Sequence, residues 1–283
     1  MADTVNAKPV LASDLIKNSL RIKKLPHIWC PGCGHGILMR AVAQAIENKG
    51  LDKNKVCIVS GIGCSSRAAG YMDFNTLHTT HGRALAFATG IKLANPELHV
   101  IVISGDGDAT AIGGNHFIHA ARRNIGITCI VFNNNIYGMT GGQYSPLTPV
   151  RDMATTAPYG NIERSFDLMK LADAAGATYA ARITTYHVRE GIKIIENGLS
   201  NKGFSLIEGI SGCPTYYGRK NKKGDAARLM VWVKDNSIDM KKVKAEGLKE
   251  EDLKDKLVIG EFKNAAEPEY TEEYQKIIDK VRC

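Results

Sequence analysis

The chain has 283 residues, 44% of them hydrophobic, and its 37 Lys and Arg against 29 Asp and Glu give a formal charge of +8. That length holds one large α/β domain with extensions or two small domains, and the composition is that of an ordinary globule. No stretch is long and apolar enough to span a bilayer, the start Met-Ala-Asp-Thr-Val-Asn lacks a signal-peptide layout, and the basic residues are scattered without interleaved aromatics, so a cytoplasmic protein without membrane or nucleic-acid partners is expected.

Residues 1–27 carry no chemical motif, and Val10 to Leu25 is expected to pack on the core or on a partner chain. Trp29-Cys-Pro-Gly-Cys-Gly-His-Gly36 is a tight knuckle whose Pro and Gly turn the sulfurs of Cys30 and Cys33 toward one centre. His35 opens a helix expected over Gly36 to Asn48, where it supports the cysteines or the fold. Val56-Cys-Ile-Val59 reads as a strand running into Gly61-Ile-Gly-Cys-Ser-Ser66, a glycine-rich turn that holds Cys64 and is followed by Arg67. A second turn carries His78, His81 and Arg83 ahead of a helix over Ala84 to Ala94.

Val100–Ile103 and Ile127–Phe132 are strongly apolar runs that read as buried parallel strands, with helical spacing between them from Asn115 to Arg123. A right-handed crossover places the turns that follow them, Gly105-Asp106-Gly107-Asp108 and Asn133-Asn134-Asn135-Ile136-Tyr137-Gly138, at one carboxyl edge of the sheet. A carboxylate from Asp106 and an amide oxygen from Asn134 are hard ligands for Mg²⁺, which completes its shell with substrate phosphates. The glycines let the backbone approach those phosphates. The combination resembles the diphosphate half-site of thiamine-diphosphate enzymes. Thr140 and Gln143 follow within reach of a substrate or partner chain.

Helices over Leu168–Ala175 and Val188–Asn197 and a strand over Ser205–Ile210 complete the sheet, and Cys213 follows in Ser211-Gly-Cys-Pro-Thr215. From Gly218 the character changes: 16 Lys and Arg and 14 Asp and Glu fall among 66 residues. The near balance, with Trp232, Phe262, Tyr270 and Tyr274, indicates an ordered extension and not a charged arm. The expected division is 1–27 as an N-terminal extension, 28–217 as the cofactor domain and 218–283 as a C-terminal extension.

Seven cysteines without a secretion signal argue for reduced thiols. Cys57 and Cys129 lie within strand-like runs as small buried hydrophobes, and Cys283 merely ends the chain. Cys30, Cys33, Cys64 and Cys213 all sit in turns and suit a four-thiolate site, for zinc or for an iron–sulfur cluster. The CxxC alone is also a redox dithiol motif. Two distant single cysteines are unlike the paired CxxC of zinc ribbons, and beside a thiamine site a cluster would accept electrons singly.

These motifs, from Trp29 to about Arg219 and in this order, resemble the β subunit of 2-oxoacid:ferredoxin oxidoreductases over roughly two thirds of the chain. The resemblance implies an α/β thiamine-diphosphate-binding fold: a mostly parallel sheet with helices on both faces, plus the charged C-terminal extension. It implies Mg²⁺ on Asp106, Asn134 and the Ile136 carbonyl, and one [4Fe-4S] cluster on Cys30, Cys33, Cys64 and Cys213. Ile62, Gly63, Cys64, Ser65, Gly107, Asp108, Gly138 and Met139 would contact the thiamine cofactor, and His81 the cofactor or substrate. Arg67, with its bidentate fork, is the candidate for substrate carboxylates. The implied substrates are a 2-oxoacid, coenzyme A and oxidised ferredoxin, and the products acyl-CoA, CO₂ and reduced ferredoxin. The wording of Thr79–Thr89 and Ile125–Pro149 resembles members that use 2-oxoglutarate; pyruvate and branched-chain acids are the alternatives. An α subunit would supply the pyrimidine-binding domain and its glutamate, so the active site lies between chains and this chain alone is inactive; separate ferredoxin-like γ and δ subunits would complete such a complex. The extension is expected to wrap the α subunit or shield the cluster. A thiamine lyase or transferase without a cluster, and a zinc-stabilised module without catalysis, are the competing readings.

Overall fold

The apolar runs become the centre of an eight-stranded sheet in the computed structural model, which describes residues 12–254 and 256–282. In chain order the first half comprises α1 (Ala12–Ser19), α2 (His35–Asn48), β1 (Val56–Ser60), α3 (Ala68–Tyr71), β2 (Asn75–His78), α4 (Ala84–Ala94), β3 (His99–Gly105), α5 (Gly114–Arg122) and β4 (Ile127–Asn133). The second half comprises α6 (Leu168–Ala175), β5 (Tyr179–Thr184), α7 (Val188–Ser200), β6 (Ser205–Ile210), α8 (Ala226–Asn236), β7 (Ser237–Asp239), α9 (Met240–Glu246), β8 (Leu257–Asn264) and α10 (Tyr270–Arg282). The strand order is β2-β1-β3-β4-β6-β5-β8-β7, and every pairing is parallel except β5 with β8.

Alternation along the strands feeds two cores, which is why the central strands read as continuously apolar. Ile58, Ile101, Ile103, Ile130, Phe132 and Ile207 pack under α2 and α7 on one face. Val59, Val100, Val102, Cys129, Val131 and Leu206 pack under α4, α5 and α6 on the other. Cys57 and Cys129 are buried, as expected. Leu15 and Leu20 join the first core, so this part of the N-terminal segment packs on its own chain. Val10 and Cys283 lie outside the described residues.

The helices and strands expected around the motifs are present, with ends moved by at most three residues. Four strands gave no readable signal. β2 is four polar-flanked residues, β5 carries Arg182 at its middle, β7 is three residues long, and β8 is interrupted by Gly260, Glu261 and Lys263. The C-terminal extension thus adds β7 and β8 to the same sheet. Among the described residues no helix is long and apolar enough to cross a membrane.

Candidate cofactor site

The chain leaves β1 for β2 on one side while β3 lies on the other, and such a switch point opens a crevice at the carboxyl ends of the strands. The turns after β1, β3 and β4 line one cavity there. Ile62, Gly63, Cys64 and Ser65 come from the first turn, Asp106, Gly107 and Asp108 from the second, and Asn134, Ile136, Gly138 and Met139 from the third, joined by His81. A larger cavity, about 530 Å³, lies at the opposite edge of the sheet. Two of its charged groups are paired within its own lining: Glu269 accepts from the N–H groups of Gly126 and Thr271, and Lys92 donates to the carbonyls of Pro96 and Leu98.

Asp106 is 4% exposed, and its Oδ2 accepts a hydrogen bond from Ser145 Oγ at 2.5 Å. Burial pushes its carboxyl up to about 7, against the pull of Ser145 and of the Gly107 N–H. A divalent cation would remove that penalty, so a buried carboxylate here suits a metal. Asn134 is buried beside it. The next residue, Asn135, holds a left-handed φ of 60°; its N–H is accepted by Asn133 Oδ1 at 2.9 Å and its carbonyl accepts from Thr148 at 2.6 Å. Asn134 and Ile136 therefore flank a pinned backbone turn.

Asp108 is buried, and its own chain engages both oxygens. Oδ1 accepts from Gly82 N at 2.7 Å, from Ile62 N at 3.3 Å and from His81 Nδ1, while Oδ2 accepts from Ser104 Oγ at 2.6 Å. The carboxylate thus ties the β1, β3 and β2–α4 loops together. A Cβ on Gly61 would stand 2.1 Å from Asp108 Oδ2, so only glycine lets these loops close. Tyr137 packs edge-on to His81 and lies across Gly107, where a Cβ would meet its ring at 2.1 Å.

The four turn cysteines converge beside this cavity. Cys33 is pushed up to about 12 and Cys64 to about 11, by burial first and then by their neighbours, Cys30 and Cys213 among them. The Cys33 sulfur accepts the His35 N–H, and the Cys64 sulfur the Met139 N–H. His35 is itself buried and bonded to Ser211 Oγ at 3.0 Å, and burial lowers its ring to about 4, so it stays neutral. Cys30 is exposed. Gly138 joins the two regions: a Cβ there would lie 3.5 Å from Cys64 Sγ, 3.9 Å from Cys213 Sγ and 4.0 Å from Asn134 Nδ2.

Residues 61–209, which contain all three turns, match the family model of the thiamine pyrophosphate enzyme C-terminal TPP-binding domain. The chain is 54% identical to the 2-oxoglutarate synthase subunit KorB of Methanocaldococcus jannaschii, over 93% of this chain and 97% of that one. It is 49% identical to the subunit of the same name from Archaeoglobus fulgidus, over 93% and 94%. Its structure superposes with a TM-score of 0.83 and 32% identity on a 2-oxoglutarate:ferredoxin oxidoreductase from Magnetococcus marinus with 2-oxoglutarate, coenzyme A and succinyl-CoA bound, covering 98% of this chain and 91% of that one. The chain belongs to the β subunits of the 2-oxoacid:ferredoxin oxidoreductases.

In this β subunit Arg67 stands apart from the other candidates. Ser65–Arg67 forms a 3₁₀ turn that buries both serines and leaves the arginine exposed. It lies close to His78, whose protonation is opposed by burial and then by Arg67. Gln143, read as a substrate or partner contact, is hydrogen-bonded to Thr140 at 2.6 and 2.8 Å and braces the loop. Sequence reasoning missed Ser145, which sits in an irregular connection without periodicity. It also missed the Met139 and His35 N–H groups, since backbone donors have no residue-type signature.

Proposed function

We propose that this β subunit carries the thiamine-diphosphate–Mg²⁺ half-site and one [4Fe-4S] cluster of a hetero-oligomeric enzyme. That enzyme oxidises 2-oxoglutarate, with coenzyme A, to succinyl-CoA and CO₂ and passes two electrons to ferredoxin. The observation that carries the reading is the meeting of the two regions at Gly138, where the sulfurs of Cys64 and Cys213 and the Asn134 amide all come within 4.0 Å of one Cβ position. The names of the relatives and the ligands of the Magnetococcus enzyme support 2-oxoglutarate over pyruvate and branched-chain acids.

When bound, thiamine diphosphate supplies the electron sink for loss of CO₂, and the cluster supplies a one-electron relay. The chain supplies position and charge. Asp106, Asn134 and the Ile136 carbonyl hold the cation, while Ile62, Gly63, Ser65, Gly107 and Met139 surround the cofactor. Asp108 fixes the loops that carry them. Cys30, Cys33, Cys64 and Cys213 hold the cluster. One CxxC with two distant single cysteines, all in turns, is unlike the paired knuckles of a zinc ribbon and would suit a cluster. The N–H groups of His35 and Met139 donate to two of the sulfurs and favour their thiolate form.

Ile62 and Met139 line the cavity yet are 41% and 44% exposed, which supports a partner α subunit closing the open side with the pyrimidine-binding domain. Arg67, outside the cavity on the Cys64 turn, would then read the distal carboxylate from the seam between chains. Ala226 of the C-terminal extension packs against Gly32 of the CxxC knuckle, where a Cβ would strike Ala226 Cβ at 2.2 Å; this contact supports a shielding role. Reduced thiols fit a cytoplasmic setting.

The test is coenzyme-A-dependent viologen reduction by the anaerobically co-purified complex, with iron, sulfide and zinc analysis alongside. Preference for 2-oxoglutarate with four irons per β subunit is expected. Preference for pyruvate would overturn the substrate, and stoichiometric zinc without iron would overturn the cluster.

A further inference from the structure

A buried ion pair lies directly behind the metal-loop turn. Glu208, at the centre of β6 and 3% exposed, is in register with Arg182 of β5 and with Val131 of β4. Its Oε2 accepts from Arg182 Nε at 2.6 Å, and its Oε1 accepts from Asn133 Nδ2 at 2.7 Å. Arg182 also donates to the Val258 carbonyl of β8 at 3.2 Å and to Asp167 at 3.3 Å. Replacing such a pair with well-packed apolar residues is often neutral or stabilising, so the pair is a poor way to hold two strands together. What apolar residues could not do is orient Asn133.

A carboxylate only accepts hydrogen bonds, so Glu208 takes the amino side of the Asn133 amide. That leaves the amide oxygen facing the other way, where it receives the Asn135 N–H. That bond, together with Thr148 Oγ1 donating to the Asn135 carbonyl at 2.6 Å, pins the left-handed turn between Asn134 and Ile136. We infer that Glu208 is a positioning residue for the cation site: held by Arg182, it fixes the Asn133 amide and, through it, the turn that presents Asn134 and Ile136. The inference rests on the proposed cation site. It also connects that site to β8, the strand contributed by the C-terminal extension.

The decisive substitution is Glu208→Gln. Arg182 would claim the glutamine carbonyl, so the glutamine amino group would face Asn133, forcing its amide to flip and set donor against donor at Asn135. The measurement is calorimetric titration of Mg²⁺ and thiamine diphosphate into the cofactor-stripped α/β complex. Glu208→Gln and Asn133→Ala should each raise the dissociation constant about 10- to 100-fold, the usual cost of losing a partner behind a metal ligand, with iron and sulfide content unchanged. In the Asn133→Ala background, Glu208→Gln should add almost nothing, because the two act in series. Wild-type affinity in either single variant, or full additivity in the double variant, would overturn the inference. If the Glu208→Gln complex does not assemble, Asn133→Ala, which leaves the ion pair intact, decides alone. A wild-type complex that takes up no thiamine diphosphate would refute the cation site itself, a distinct outcome from wild-type binding with unaffected variants.

Discussion

Removal of the Asp108 carboxylate is the sharpest test of how the site is held. Asp108→Ala strips the acceptor from the buried Gly82 N–H at 2.7 Å and from Ser104 Oγ at 2.6 Å. A buried donor left without a partner costs about 1–3 kcal/mol, so these two place the loss at about 2–6 kcal/mol. The longer Ile62 contact, at 3.3 Å on an exposed residue, adds little because water can replace it. Against typical stabilities of about 5–15 kcal/mol that is a large fraction. Asp108→Asn should behave differently. Its carbonyl still receives Gly82, and its amino group turns toward Ser104, whose hydroxyl rotates to accept, so the cost should be about 1 kcal/mol. Urea unfolding of both variants at pH 8, with m and midpoint fitted separately, measures the gap. If Asp108→Ala falls within about 1 kcal/mol of Asp108→Asn, the carboxylate does not hold these loops and the reasoning fails.

Other expectations follow from the same geometry. Cys33→Ala, Cys64→Ala or Cys213→Ala should each abolish stoichiometric iron and visible absorbance, whereas Cys129→Ala, in the sheet interior, should keep both; iron analysis separates the two sets. Asp106→Asn should weaken Mg²⁺–thiamine diphosphate binding by at least about tenfold without iron loss, read by calorimetry. Burial first, then Glu261, pushes the Tyr179 phenol above its ordinary 10.0. Above that pH the unfolded chain therefore loses a proton that the folded chain keeps, and stability should fall as pH rises past 10. Tyr179→Phe should make the fall shallower in urea unfolding between pH 8 and 11.

The parts of the fold legible in the sequence are those where one physical pressure acts alone. β3 and β4 are buried on both faces and read as unbroken apolar runs, so the turns after them were placed at one edge from the pattern alone. β5 was not legible because Arg182 interrupts it, and that arginine is tolerated only because Glu208, Asp167 and Val258 lie around it in three dimensions. The same holds for the site. Cys30 and Cys33 announce themselves by spacing, but the contribution of Ser145 to Asp106 depends on a loop whose path no periodicity encodes. Arg67 is exposed at the end of the turn that buries Ser65 and Ser66, an orientation set by the backbone path of that turn and not by any residue pattern.

The antiparallel pairing of β5 with β8 bears on how the subunit is made. β5 and β6 can pair as soon as both have emerged, but the outer edge of β5 waits for β8, whose last residue comes 80 positions after the end of β5 (264 − 184). At ribosomal speeds of about 5–20 residues per second, that edge stays open for on the order of 4–16 s, long enough to attract strands from other nascent chains. Closing it leaves only short outermost strands, β2 with four residues and β7 with three. Truncations before residue 257 should therefore yield aggregates during expression even though every cofactor-site residue named above is already present.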